Sequence, residues 1–162
     1  MNLSVTIIGH NEVDHLRELL PQLKWATEIV YVDCESQDDS LEFARDLGCR
    51  VFSRPNNNNL NVNKSFAVDQ ASGDWVFYLD PDERLPELLV MEIEETLENT
   101  VNTAFRLNRR NHYFGHLLRY GSQYPDTQSV SYTQRTLPTI FRVYTSDASA
   151  SFHTHRLGRR GK

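Results

Sequence analysis

"WVFYLDPDERLPELLVMEIEETLEN", residues 75–99, runs from an aromatic and aliphatic stretch through an acidic turn into a long amphipathic segment. The first six residues read as a buried strand, because apolar and aromatic side chains follow one another without a polar alternation. The segment from Pro86 reads as a helix, with Leu89, Ile93 and Leu97 recurring on one face. Between them Asp80, Asp82 and Glu83 crowd like charges together. A solvated turn accommodates that crowding, as does the positive end of the following helix dipole. A cation held by the carboxylates is the third reading.

Working outward, the same strand-then-helix unit repeats towards the N-terminus. "LSVTII" (residues 3–8) is a β-branched run, and "NEVDHLRELLPQLKW" after it places Leu16, Leu19, Leu20 and Leu23 at helical spacing. Asn11 and Asp14 are both candidate caps for that helix, and Pro21 is expected to end or kink it. "EIVYVD" (28–33) is a second strand. "DDSLEFARDLGC" reads as a helix capped by Asp38 or Asp39, with Gly48 at its C-terminal end. "RVFS" is a third strand, "RPNNNNLNVN" a loop, and "KSFAVDQA" a short helix that leads into the strand at residue 75. Beyond the long helix, "TAFRLN" is one more strand.

Strands alternating with helices predict an α/β fold with a largely parallel sheet and helices on both faces. Ligands of such sheets lie outside the carboxyl ends of the strands. Asn11 and Glu12 follow the first strand, Asp33 ends the second, and Asp80 and Asp82 follow the fourth, so three loops are expected to converge on one rim. A merely solvated turn explains one of these loops but not all three.

At 162 residues, 39% hydrophobic and 24% charged, the chain has the size and composition of one globular domain. No segment has the run of apolar residues that a membrane span needs, and no signal peptide is evident, so the expected compartment is the cytoplasm. Cys34 and Cys49 are expected to be single buried thiols. Charge is unevenly spread. Residues 1–126 hold 11 of the 17 Lys and Arg and 21 of the 22 Asp and Glu, a net of −10, whereas residues 127–162 carry a net of +5 and many Ser and Thr. The boundary is therefore placed at residue 126, with 127–162 expected to be a divergent, disordered basic tail.

Neither G-x-G-x-x-G nor G-x-x-x-x-G-K-[ST] occurs, which argues against a dinucleotide oxidoreductase or a P-loop nucleotidase. Phosphate would then be neutralised through a divalent cation on carboxylates. Mg²⁺ and Mn²⁺ favour such hard oxygen ligands, and "DPD" supplies two.

Four ordered pieces now fit together: "VTIIGHNE", "EIVYVDCESQDDSLEFA", "NKSFAVDQASGDWVFYLDPDERL" and "RLNRRNHYFGHLLRYGSQYPD". In this order and spacing the chain resembles the family 2 glycosyltransferases of GT-A fold over about residues 3–125. Its last piece is similar to the branch of lipopolysaccharide core glucosyltransferases of the WaaE type. The resemblance implies a Rossmann-like, three-layer nucleotide-sugar-binding sandwich with a mostly parallel central sheet. It implies an inverting transfer of sugar from a nucleotide-linked, UDP-type donor to a cell-envelope glycan or glycolipid, with peripheral membrane contact. By the same resemblance Asp33 contacts the base of the sugar donor, and Asn11 and Glu12 lie on the nucleoside side with Glu12 near the ribose. Asp80 reaches ribose or metal, Asp82 binds Mg²⁺ or Mn²⁺, and Lys64 and Arg54 lie near the phosphates.

The chain departs from that pattern after Tyr124-Pro125-Asp126. Where the branch has a His-Glu pair, this sequence has "FHTHRLGRRGK", in which neither His153 nor His155 precedes a Glu. The expectation is an intact sugar-donor half whose acceptor side and general base are missing or rebuilt, that is, a truncated nucleotide-sugar-binding protein with little transfer. A haloacid-dehalogenase-like phosphatase with Asp80 as nucleophile is the remaining alternative, and Glu83 argues against it. His112 and His116 are at the spacing of one helix face, interrupted by Gly115, and form no metal motif. "RRNHYFGHLLRY" mixes basic and aromatic residues, but in an acidic body it reads as the border of an acceptor or membrane surface rather than as a nucleic-acid site.

Overall fold

Residues 2–99, 104–113, 116–117 and 126–131 are described in the computed structural model of the chain. Strand β1 (Leu3–Gly9) leads into α1 (Val13–Leu19), where Pro21 tightens the continuing chain into a 3-10 helix at Leu20–Leu23 instead of letting the α-helix run on. Then follow β2 (Glu28–Asp33), α2 (Ser40–Asp46), β3 (Arg50–Ser53), α3 (Leu60–Gln70), β4 (Trp75–Leu79) and α4 (Glu87–Asn99). The remaining strands are β5 (Ala104–Arg109), β6 (His112–Tyr113), β7 (His116–Leu117) and β8 (Asp126–Ser131).

The first four strands form an all-parallel sheet in the order β3-β2-β1-β4. After β1 the chain steps outward to β2 and β3, then returns to the other side of β1 for β4. The order thus reverses beside β1, and a crevice opens at such a point outside the carboxyl ends of the strands. Register keeps those ends level, with Gly9 opposite Asp33, Asp33 opposite Ser53, and Ile7 opposite Leu79.

Alternation along the strands sends side chains to two cores. Val5, Ile7, Tyr31, Phe77 and Leu79 meet Leu16, Leu19 and Leu23, with Leu89 and Ile93 of α4 and Phe105 and Leu107 of β5. On the opposite face Ile8, Val30, Val32 and Tyr78 pack under Ala67 of α3. Helices therefore cover both faces of the sheet, as the strand-helix alternation predicts. Cys34 and Cys49 are buried free thiols, as expected, and burial pushes the Cys49 thiol up to about 11.

Four expectations are corrected. Neither Asn11 nor Asp14 caps α1. Its first N–H groups are instead satisfied from the neighbouring segment, Glu12 N–H donating to Ser40 Oγ at 2.9 Å and Val13 N–H to Asp38 Oδ2 at 3.1 Å. Helix α3 begins at Leu60, inside the stretch expected to be a loop, because the Asn59 side chain accepts from Asn61 N–H and caps it. His112 and His116 lie on paired antiparallel strands, not on a helix face. The stretch expected to begin a disordered tail starts inside β8, which pairs antiparallel with β5 from Asp126 opposite Arg109 to Ser131 opposite Ala104. The rest of that tail, His153 and His155 included, lies outside the described residues.

Candidate functional site

The loops at the carboxyl end of the sheet are tied to one another before any ligand is considered. After β1, Asn11 takes a left-handed conformation (φ 58°), which an Asn side chain tolerates. Its Oδ1 accepts from Gln37 N–H at 2.7 Å, and its own N–H donates to Ser36 Oγ at 2.9 Å. The adjacent His10 lies 2.7 Å through Nδ1 from the Cys34 carbonyl, a contact in which only the ring nitrogen can donate. Glu12 lies 2.7 Å from His15. Asn11 and Glu12 therefore both sit on the rim, with the Asn11 amide engaged in joining the first loop to the second.

Asp33, the last residue of β2, is 2% exposed. Its Oδ2 accepts from Ser36 N–H at 3.1 Å, while Oδ1 is buried with no hydrogen-bond partner among the described residues. A buried carboxylate oxygen without a donor costs free energy that a ligand N–H or O–H can recover.

Arg54 follows β3 directly, and its N–H donates to the Asp33 carbonyl at 2.8 Å. Its guanidinium lies 4.2 Å from the centre of the Phe66 ring and donates through Nε to Asn63 Oδ1 at 3.0 Å. Asn63 is itself buried and donates to the Pro55 carbonyl at 2.9 Å and to Cys34 Sγ at 3.3 Å. Sequence reading passed over Asn63 because it lies at the end of an Asn-rich stretch that looks like loop. Its place four residues after a capping Asn was the available signal. Arg54 is thus fixed beside Asp33, at the far edge of the sheet from Asp80. Three strand spacings, about 14 Å, separate those edges.

At the other edge, β4 ends in the acidic turn. Asp80 N–H donates to Glu83 Oε2 at 3.0 Å and Glu83 N–H to the Asp80 carbonyl at 3.1 Å, with Pro81 and Glu83 buried. Glu83 therefore folds the turn back on itself, which answers why three acids crowd there. Asp82 stands exposed at the tip. Behind the turn Lys64, 3% exposed, places Nζ 3.0 Å from Asp80 Oδ1, and the Tyr78 hydroxyl donates to the same oxygen. Lys64, expected near phosphate, is held by Asp80. Tyr78 was not singled out in the sequence, since alternation alone makes it one more core aromatic.

Among the described residues no three His, Cys, Asp or Glu side chains form a metal-binding group, and no helix is long and apolar enough to cross a membrane. Two carboxylates on a stiff turn still suit Mg²⁺ or Mn²⁺, which take most of their remaining ligands from water and phosphate.

Comparison with known proteins agrees with this architecture. The chain is 37% identical over 93 residues to an uncharacterized glycosyltransferase of Rickettsia typhi, covering 57% of this chain and 32% of the relative. It is 31% identical over 119 residues to the lipopolysaccharide core biosynthesis glycosyltransferase LpsC of Rhizobium meliloti, covering 70% and 44%. The chain thus spans less than half the length of either. S. aureus TarS (residues 1–349) shares the fold with a TM-score of 0.56 at 23% identity, over 64% of this chain and 34% of that one. The sheet and helix layers are those of the GT-A glycosyltransferases, in keeping with the sequence. A family model described as glycosyl transferase family 2 matches residues 4–156, and the chain belongs to that family.

Proposed function

We propose that the crevice beside β1 binds a nucleotide sugar, with the base at the Asp33 end and the diphosphate at the Asp80 end. Asp33 carries this reading, because its buried Oδ1 has no partner among the described residues and a ring N–H of a base would supply one. Asp33 and Asp80 end strands two spacings apart, about 10 Å, a span that an extended nucleoside diphosphate bridges. Arg54 then lies at the base end rather than with the phosphates, and Asn11 and Glu12 line the nucleoside side. Asp80 and Asp82 would hold Mg²⁺ or Mn²⁺ against the diphosphate. A cation there offsets the charge growing on the departing nucleoside diphosphate.

The activity proposed for the whole protein is inverting transfer, in which an acceptor hydroxyl attacks the anomeric carbon of a UDP-linked sugar and the nucleoside diphosphate leaves. Similarity to LpsC favours a lipopolysaccharide core or other envelope glycan as acceptor, reached at the membrane surface. Because the chain spans less than half the length of its relatives, binding without transfer is the second reading. A phosphatase nucleophile at Asp80 is disfavoured by the engagement of its Oδ1 with both Lys64 and Tyr78.

Titration calorimetry of UDP and UDP-glucose, with and without Mn²⁺, tests the site. Metal-dependent binding is expected, reduced at least tenfold by Asp82→Ala. Equal binding by wild type and Asp82→Ala would overturn the assignment of the acidic turn. Sugar release to a glycan acceptor, measured separately, distinguishes transfer from binding alone.

A further inference from the structure

Lys64 is a buried cationic side chain, 3% exposed. Its ammonium lies 3.0 Å from Asp80 Oδ1 and 4.5 Å from the centre of the Tyr78 ring. The Tyr78 hydroxyl donates to the same Asp80 oxygen. The three groups come from two elements on the α3 side of the sheet, Lys64 from α3, and Tyr78 with Asp80 from β4 and its end. A buried charge is stable only when paired, so the lysine accounts for the fixed position of Asp80 as much as Asp80 accounts for the burial of the lysine.

The pairing alters the electrostatics of the acidic turn. Two carboxylates alone would present two negative charges to a divalent cation. With the Lys64 ammonium against Asp80, the negative charge of a turn that also holds the Glu83 carboxylate falls by one, and the ammonium itself repels the incoming ion across a partly buried, weakly screened gap. A diphosphate brings the missing negative charge and attracts both cations.

We propose that Lys64 is a resident counter-ion of Asp80 that makes divalent-cation binding at the acidic turn depend on the diphosphate of the sugar donor. This rests on the reading of Asp80 and Asp82 as the diphosphate end of the site. Lys64 acts through Asp80 and is a positioning residue. Affinity of cation and nucleotide must then be mutually coupled, each tightening the other by the same factor.

The test is calorimetric titration of the full chain with Mn²⁺ alone, UDP alone, and Mn²⁺ at saturating UDP, for wild type, Lys64→Met, Lys64→Arg and Tyr78→Phe. In wild type, Mn²⁺ alone is expected to bind at least tenfold more weakly than Mn²⁺ with UDP. Lys64→Met is expected to tighten Mn²⁺ binding in the absence of nucleotide at least tenfold and to shrink the coupling. Lys64→Arg and Tyr78→Phe keep the charges and are expected to leave Mn²⁺ alone weak. Wild type binding Mn²⁺ equally well with and without UDP would overturn the proposal, whether or not Lys64→Met folds. So would a folded Lys64→Met with unchanged Mn²⁺ affinity, or a tenfold tightening by Tyr78→Phe. Asp82→Ala separates the two levels. If it leaves Mn²⁺ and UDP binding intact, the reading of the site itself fails; if it abolishes metal-dependent binding while Lys64→Met behaves as wild type, only the counter-ion role fails.

Discussion

Glu28 opens β2 at the end of the sheet remote from the crevice, and its carboxylate joins four segments. It accepts from Ser4 Oγ of β1 at 2.5 Å, from Ser72 N–H and Oγ at 2.8 and 3.0 Å, and from Arg50 Nη1 of β3 at 3.0 Å. Burial raises its pKa, but these hydrogen bonds outweigh burial and hold it at about 2, against an ordinary 4.5. A depressed carboxylate stabilises the fold above its unfolded pKa, and that stability is lost as pH falls from about 4.5 towards 2. Glu28→Gln should therefore lower stability at neutral pH by on the order of 2 kcal/mol. It should also flatten the acid limb of the thermal midpoint across that window, as measured by circular dichroism against pH. Residues of this kind were hard to read in the sequence, because the partners of Glu28 lie 22, 24 and 44 positions away. The placement of Asp33, Asp80 and Asp82 at the carboxyl end of the sheet was legible for the opposite reason, since a strand end fixes where its next side chain stands. The pairing of Lys64 with Asp80 was not legible, because it appears only when α3 packs on β1 and β2 and brings Lys64 to the end of β4.

At the scale of elements, the β-branched and aromatic runs located β2 and β3 to the residue, and β1, β4 and β5 to within one. Gly48 likewise ends α2 as its position suggests. It takes φ 82°, Cys49 N–H reaches the Ala44 carbonyl at 3.1 Å, and Gly48 N–H reaches that of Arg45 at 3.0 Å, a Schellman closure. The first turn of helix α3, ahead of the stretch 64–71 read as helix, escaped because Leu60 and Val62 are 50% and 40% exposed and give no apolar stripe, so its start is set by the Asn59 cap. Asn59→Ala should cost about 1 kcal/mol. Because α3 carries Asn63 and Lys64 into the crevice, amide exchange over its first two turns should quicken in that variant by about fivefold, while α1 and α4 stay as in the wild type. Uniform exchange across all helices would mean that the cap is not what anchors this end.

For the whole molecule, the same reversal of strand order that opens the crevice also leaves β4 at a sheet edge, with the second, antiparallel pair β5-β8 beside it in the fold. Contact between β4 and β8 means that the chain at residues 126–131 returns to the parallel sheet instead of leaving it. The compositional break at residue 126 is real in charge but does not coincide with the end of paired structure, because Ser and Thr are compatible with a strand as readily as with a solvated tail. Two substitutions decide how much the fold draws on this return. Proline at Gln128 or at Ser129 removes one backbone N–H, and in an antiparallel ladder successive residues alternate between facing the partner strand and facing away. One of Gln128→Pro and Ser129→Pro should therefore break a bond to β5 at a cost of about 3 kcal/mol, lowering the thermal midpoint by several degrees, while the other does less. Such an asymmetry would make β8 part of the domain built on the parallel sheet and place the domain boundary beyond Ser131. Midpoints equal to wild type for both would return the boundary to residue 126, because a strand whose ladder can be broken without cost contributes nothing to the fold.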